Sequence, residues 1–170
     1  MVKRSDGLLS SALLAAVILQ GCASYDGRGL VPGQASAADV ERVMGTPREK
    51  ISLANGESTW FYPHGPAGRD TYAVHLAADG RVVSVEQRLT EAHFMKLVAG
   101  SSTQRDAREI LGPPSRVSRN NLLQREVWEY PYFNAIQIPF LLYVQFSGDG
   151  VVREVLTLRD PNQDVGSYAP

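Results

Sequence analysis

The chain has a single cysteine in 170 residues and only three histidines. One thiol cannot close an intramolecular disulfide, so the fold must rest on packing alone. His64, His75 and His93 fall in a Pro/Gly loop, a strand pattern and a helix pattern, without metal-ligand spacing and with no second cysteine to help. No metal site is expected. No serine stands in a Gly-x-Ser-x-Gly elbow, and no glycine-rich phosphate loop opens a helix. The carboxylates are scattered; Glu126 and Glu129 flank Trp128 as a solvated strand face would place them. No catalytic residue is assigned, and the chain reads as a non-enzyme. An excess of one charge is also missing. Lys plus Arg number 17 against 18 for Asp plus Glu, a net charge of −1 with no basic stripe. That balance gives no electrostatic case for nucleic acid as a partner. Beyond residue 22 no hydrophobic run approaches spanning length, although Ala135 to Phe146 is strongly apolar.

The first 22 residues are the most specific part of the chain. Lys3 and Arg4 precede an uncharged apolar run from Leu8 to Leu19, the layout of a secretory signal. As a helix this run covers ~18 Å against a hydrocarbon core of ~30 Å, too short for a permanent span. It closes with Leu19-Gln20-Gly21-Cys22, which resembles the lipobox of bacterial lipoproteins. The resemblance implies cleavage between Gly21 and Cys22 and a covalent, palmitate-type lipid on Cys22, with no other cofactor. Ser24 is not the aspartate that retains such proteins in the inner membrane, which implies the periplasmic face of the outer membrane. Each buried CH₂ contributes about 0.8 kcal/mol, so several acyl chains anchor permanently. Residues 22–33 follow as a lipidated N-terminus and tether. Gly27, Gly29, Gly33 and Pro32 argue against regular structure there, and residues 23–33 reach ~36 Å when extended.

After the tether one pattern occurs twice. Gly33-x-x-Ser36-x-x-Asp39, Val43-Met44-Gly45-Thr46-Pro47, Trp60-Phe61-Tyr62-Pro63 and Asp79-Gly80-Arg81-Val82-Val83 match Gly100-x-x-Thr103-x-x-Asp106, Ile110-Leu111-Gly112-Pro113-Pro114, Trp128-Glu129-Tyr130-Pro131 and Asp149-Gly150-Val151-Val152. Ser36 and Thr103 are N-cap types, with Asp39 and Asp106 suited to the positive end of a helix dipole. Asp is shorter than the Glu of a full capping box, so only the cap is expected. Gly45 and Gly112 suit a left-handed helix end, with Pro47 and Pro114 preventing continuation. Strand patterns follow in each copy, with Asn55-Gly56 as a type I′ hairpin signal. Thr90 opens a short linking helix with Phe94, Leu97 and Val98 on one face.

The expected fold is α+β: two tandem repeats, each a short helix plus a small antiparallel β-sheet, with the helices packed on one sheet face. A repeat of this size is marginal alone, so the two are expected to share a core. The expected segments are 1–21 signal, 22–33 tether, 34–90 first repeat, 91–160 linking helix and second repeat, and 161–170 a loose tail.

A Gly-x-[ST] before a short helix, a Leu-Gly-x-Pro-like ending, a Trp-x-Tyr strand and a Val-rich strand after Asp-Gly resemble the SmpA/OmlA family, the BamE-like outer-membrane lipoproteins. The tandem arrangement is also similar to the β-lactamase inhibitor protein architecture. The first resemblance implies a protein-binding scaffold in outer-membrane protein assembly or envelope maintenance, with envelope proteins as partners. The second implies an inhibitor-type module for a secreted or periplasmic hydrolase. For either, the candidate contact is the run Tyr132 to Pro139, where Tyr132, Phe133, Ile136 and Ile138 replace the polar His64–Asp70 loop of the first copy. An apolar loop in that place either packs over the other repeat or forms an exposed patch.

Overall fold

A computed structural model describes residues 24–65 and 68–163. The expected signal segment, the Gly21–Cys22 cut, the lipid on Cys22 and residues 164–170 lie outside the described residues.

Within each half the chain forms a short helix and then four antiparallel strands. The first half contains α1 (Ala37–Met44), β1 (Glu49–Ser52), β2 (Ser58–Pro63), β3 (Thr71–Leu76) and β4 (Val82–Gln87). After α2 (Glu91–Phe94), the second half contains α3 (Gln104–Leu111), β5 (Arg116–Asn120), β6 (Arg125–Phe133), β7 (Pro139–Phe146) and β8 (Val152–Arg159). The sheets run β1-β2-β3-β4 and β5-β6-β7-β8. Equivalent registers join them: Trp60 faces Val74 and Val74 faces Val85, as Trp128 faces Val144 and Val144 faces Val155.

This corrects the expected fold class. The described residues are mostly β, two four-stranded antiparallel sheets with three short α-helices, and not an α+β fold in which helices cover a sheet face. The reason lies in helix length. Eight residues make about two turns, ~12 Å, enough to bury Val40 and Met44 from α1 and Ala107 and Leu111 from α3. The rest of each core comes mainly from strands: Trp60, Tyr62, Val74, Leu76 and Val82 in one half, Trp128, Tyr130, Leu142, Val144, Phe146 and Val152 in the other.

Local chemistry sets where each helix starts and stops. Ser36 and Thr103 cap the Asp39 and Asp106 amides, and the two aspartates return the bond to the cap backbone N–H at 3.0 and 2.7 Å. Both capping boxes are thus complete, because the cap backbone turns its N–H toward the shorter side chain. The helices end at Gly45 (φ 81°, ψ −161°) and Gly112 (φ 84°, ψ −168°), an extended positive-φ conformation instead of the expected left-handed helical one. Asn55 lacks the positive φ of a type I′ turn. The Leu53 N–H donates to Glu57 O, the Gly56 N–H donates to Leu53 O, and Gly56 has φ 85°. That is a three-residue loop closed by glycine, and the turns at Gly80 and Gly150 make the same pair of bonds.

The tether is also corrected. Residues 24–35 are docked on the first half, not extended. The Ser24 N–H donates to Val43 O at 2.9 Å, the Gly33 N–H to Val82 O at 2.8 Å, and Tyr25 stacks on His64 with ring centroids 4.7 Å apart. Leu30 and Ala35 join the first core. Gly27 lies so close to Val85, Leu30 and Met44 that a Cβ there would sit 3.0 Å from Val85 Cγ1.

The two halves are in contact. The face of the first sheet turned away from its own core carries Phe61 and Ala73, both fully buried. Gly112 at the end of α3 sits against the Phe61 ring, its carbonyl accepts from Tyr130 Oη at 3.1 Å, and Arg108 pairs with Glu49 at 2.7 Å. Pro161–Gln163, expected to be loose, forms one turn of 3₁₀ helix.

Candidate functional site

A cleft opens between the ends of β4 and α2 on one side and the β6–β7 loop on the other. It encloses about 440 Å³ and is lined by Asp70, Gln87, Leu89, Thr90, Glu91, Phe133, Asn134, Ala135 and Gln137. Its outer wall is the segment that carries the candidate contact residues.

Asn134 builds that wall. Its side-chain oxygen accepts from the Ile136 N–H at 3.2 Å and the Ile138 N–H at 2.8 Å, and its own N–H donates to Ile138 O at 3.0 Å. Gln137 takes φ 61° to close the turn, a conformation an Asx-stabilised loop tolerates. The loop is therefore held by its own hydrogen bonds and projects side chains in fixed directions. Phe133 is 41% exposed and Ile136 73% exposed, while Ile138 is half-buried. Tyr132 is the exception. It is 2% exposed, set edge-on to Phe94 at 4.8 Å and tilted against Phe140, so it belongs to the second core and is not a contact residue. Burial pushes its hydroxyl pKa up, partly offset by a bond with Thr157. The choice left open by sequence thus divides inside one loop: Tyr132 packs inward, Phe133 and Ile136 face out.

Behind Phe133 lies a charged pair that sequence reading did not single out. Arg69 and Asp160 are hydrogen-bonded to each other with both side chains under a tenth exposed. Arg69 also donates to Phe140 O at 3.1 Å and sits 5.4 Å from the Phe133 ring centroid. Burial would raise the Asp160 pKa, but the Arg69 hydrogen bond and the Asn162 N–H together hold it below the ordinary carboxylate value. Nothing local marks this pair, because its members stand 91 positions apart.

A second polar group lies on the outward face of the first sheet near α2. Arg88 donates to His93 Nε2 at 3.1 Å and to His75 Nε2. A guanidinium only donates, so both Nε2 atoms accept and both rings are neutral with the proton on Nδ1. Those Nδ1 protons meet Thr59 Oγ1 at 3.0 Å and Thr90 Oγ1 at 2.8 Å. Burial, and for His75 then the Arg88 charge, lowers the histidine pKa; for His93 burial leads, followed by Lys96 and Arg88. Glu86 lies 3.4 Å from Arg88 and offsets part of that effect. The arrangement ties β3 and β4 to α2 and leaves the buried Arg88 Nε without a hydrogen-bond partner. Among the described residues no group of three or more His, Cys, Asp or Glu is placed to hold a metal ion, and no helix is long and apolar enough to cross a membrane.

Known proteins add little to this geometry. No family model matches the chain, and no curated protein matches it. Among solved structures, a DUF4309 family protein (YjgB) from Bacillus subtilis overlaps 78% of this chain and 84% of its own at 19% identity, with a TM-score of 0.31. An overlap that loose carries no conclusion about this protein.

Proposed function

We propose that this chain is a lipid-anchored lipoprotein of the outer membrane, facing the periplasm, that works as a protein-binding scaffold and not as an enzyme. The observation that carries the contact is the β6–β7 loop, which holds Phe133 and Ile136 in solvent by internal hydrogen bonds beside a 440 Å³ cleft. A loop already fixed in shape loses little entropy when a partner covers it, and exposed aromatic and aliphatic side chains are the usual anchors of an interface. The lipobox-like Leu19-Gln20-Gly21-Cys22 supports the address. The likeness of the motif order to the SmpA/OmlA family supports a role in outer-membrane protein assembly or envelope upkeep.

A photo-crosslinking residue at Ile136, introduced in cells, tests the contact. A discrete adduct with an envelope protein is expected, together with its loss when Phe133 is changed to Ser. Absence of any adduct at Ile136, with the protein present and folded, overturns the scaffold reading. Capture of a soluble hydrolase that loses its activity would replace it with the inhibitor reading.

A further inference from the structure

The docked segment before α1 limits how far the domain can turn about anything attached at Cys22. The orientation inferred from it rests on the reading above that Cys22 is acylated, and adds what that reading lacks. Ser24 is held by its N–H on Val43 O and by its Oγ on Asp26. The chain is then fastened by the Tyr25–His64 stack, the Gly27 packing, Leu30 and the Gly33 bond to Val82. Only two Cα steps of ~3.8 Å separate Ser24 from Cys22, so the acylated residue lies within about 8 Å of a fixed point on the domain. A headgroup layer is itself roughly 5–8 Å thick. An eleven-residue free tether would have let the domain turn in any direction; a two-residue one does not.

We infer that the surface around Ser24 lies against the lipid headgroups: Tyr25, Arg28, the α1 end at Thr46, Arg48 and His64. The chemistry of this patch fits such a surface. Tyr25 is 46% exposed and amphipathic, suited to the interfacial zone. Arg28, Arg48 and His64 are exposed beside it and can donate to phosphate oxygens. Two acids border the patch: Asp26 accepts from Ser24 and pairs with Arg28, and Asp70 accepts from Gln87.

Cys22 is the sole cysteine, so the chain from Cys22 onward, which keeps every described residue, can be coupled through its thiol to maleimide phospholipid in nanodiscs. Gadolinium-chelating headgroup lipids then broaden nitrogen-15 amide signals according to depth. The expected result is several-fold stronger broadening at Tyr25, Arg28, Thr46, Arg48 and His64 than over the rest of the domain. A Gly/Ser insert of about eight residues between Ala23 and Ser24, adding roughly 16 Å of mean reach, should level that gradient. Uniform broadening without the insert, or the same gradient with it, overturns the inference. Intact-mass measurement of protein extracted from cells tests acylation separately: an unmodified Cys22 would remove the anchor reading, whatever the nanodiscs show about the face.

Discussion

Gly45 and Gly112 leave their helices in the same backbone conformation, with φ above 80° and ψ near 180°. Only glycine adopts that region without a cost of about 1–3 kcal/mol. Their surroundings differ. A Cβ on Gly45 meets nothing within 4 Å, whereas one on Gly112 would lie 2.6 Å from Phe61 Cδ1. Phe61 is fully buried and cannot swing into solvent. Gly45→Ala should therefore cost about 1–3 kcal/mol, and Gly112→Ala a further 1–3 kcal/mol from overpacking. Urea denaturation of the two variants checks this; equal losses would mean that the Phe61 contact is soft. The histidines make a second residue-scale case. His75 and His93 are neutral in the fold, with pKa values held below the ordinary 6.5 by burial and by the Arg88 and Lys96 charges, against a partial pull from Glu86 and Glu57. The unfolded chain takes up these protons first as pH falls, so stability is full above about 6.5 and drops below it. The urea midpoint should fall between about pH 7 and pH 5, and the His75→Gln, His93→Gln double variant should lose most of that slope.

The elements show what was legible in sequence and what was not. Ser36 and Thr103, with their aspartates three residues on, located both helix starts, because capping is decided within four residues. Ser36→Ala should cost about 0.5–2 kcal/mol, and Ser36→Asn should restore most of it, both read from urea midpoints. An unchanged midpoint for Ser36→Ala would mean that the Ser36–Arg81 bridge holds the helix start unaided. The alternation of Trp60 and Tyr62 was equally local, and both side chains lie in the first core. How the helices serve the core was not local. The cap and stop residues mark where the helices lie, but they cannot show that the strands carry most of the burial, and so the expected helical layer was too large. Glycines at 27, 29 and 33 argued correctly against regular structure, yet docking depends on Val85 and Val82, which lie some fifty residues away. In the same way Tyr132 looked like its exposed neighbours until Phe94 was placed against it. Short-range chemistry reads out of sequence; burial by a distant partner does not.

On the scale of the whole molecule, what matters is how two sheets without a disulfide stay together. Their contacts include the Phe61–Gly112 packing, the half-exposed Arg108–Glu49 pair and the buried Arg69–Asp160 pair. The exposed pair contributes little, since solvent screens it. The buried one is a different case, because both charges have left water and each depends on the other. Arg69 reaches from the β2–β3 loop of the first half to Asp160 at the end of β8 and to the Phe140 carbonyl, so it spans the junction directly behind the exposed Phe133. Removing one partner strands the other in an apolar place. Asp160→Leu alone should therefore lower stability by about 3–5 kcal/mol, while adding Arg69→Met to it should recover most of the loss. Unfolding should stay a single transition in the double variant, since the packing of the halves on each other is kept. The double variant also separates junction stability from partner binding. Its Phe133 no longer rests under a guanidinium, so the Ile136 crosslink should weaken even where the urea midpoint has returned. A crosslink of undiminished yield would mean that the loop's own Asn134 bonds set its shape, with no help from the junction behind it.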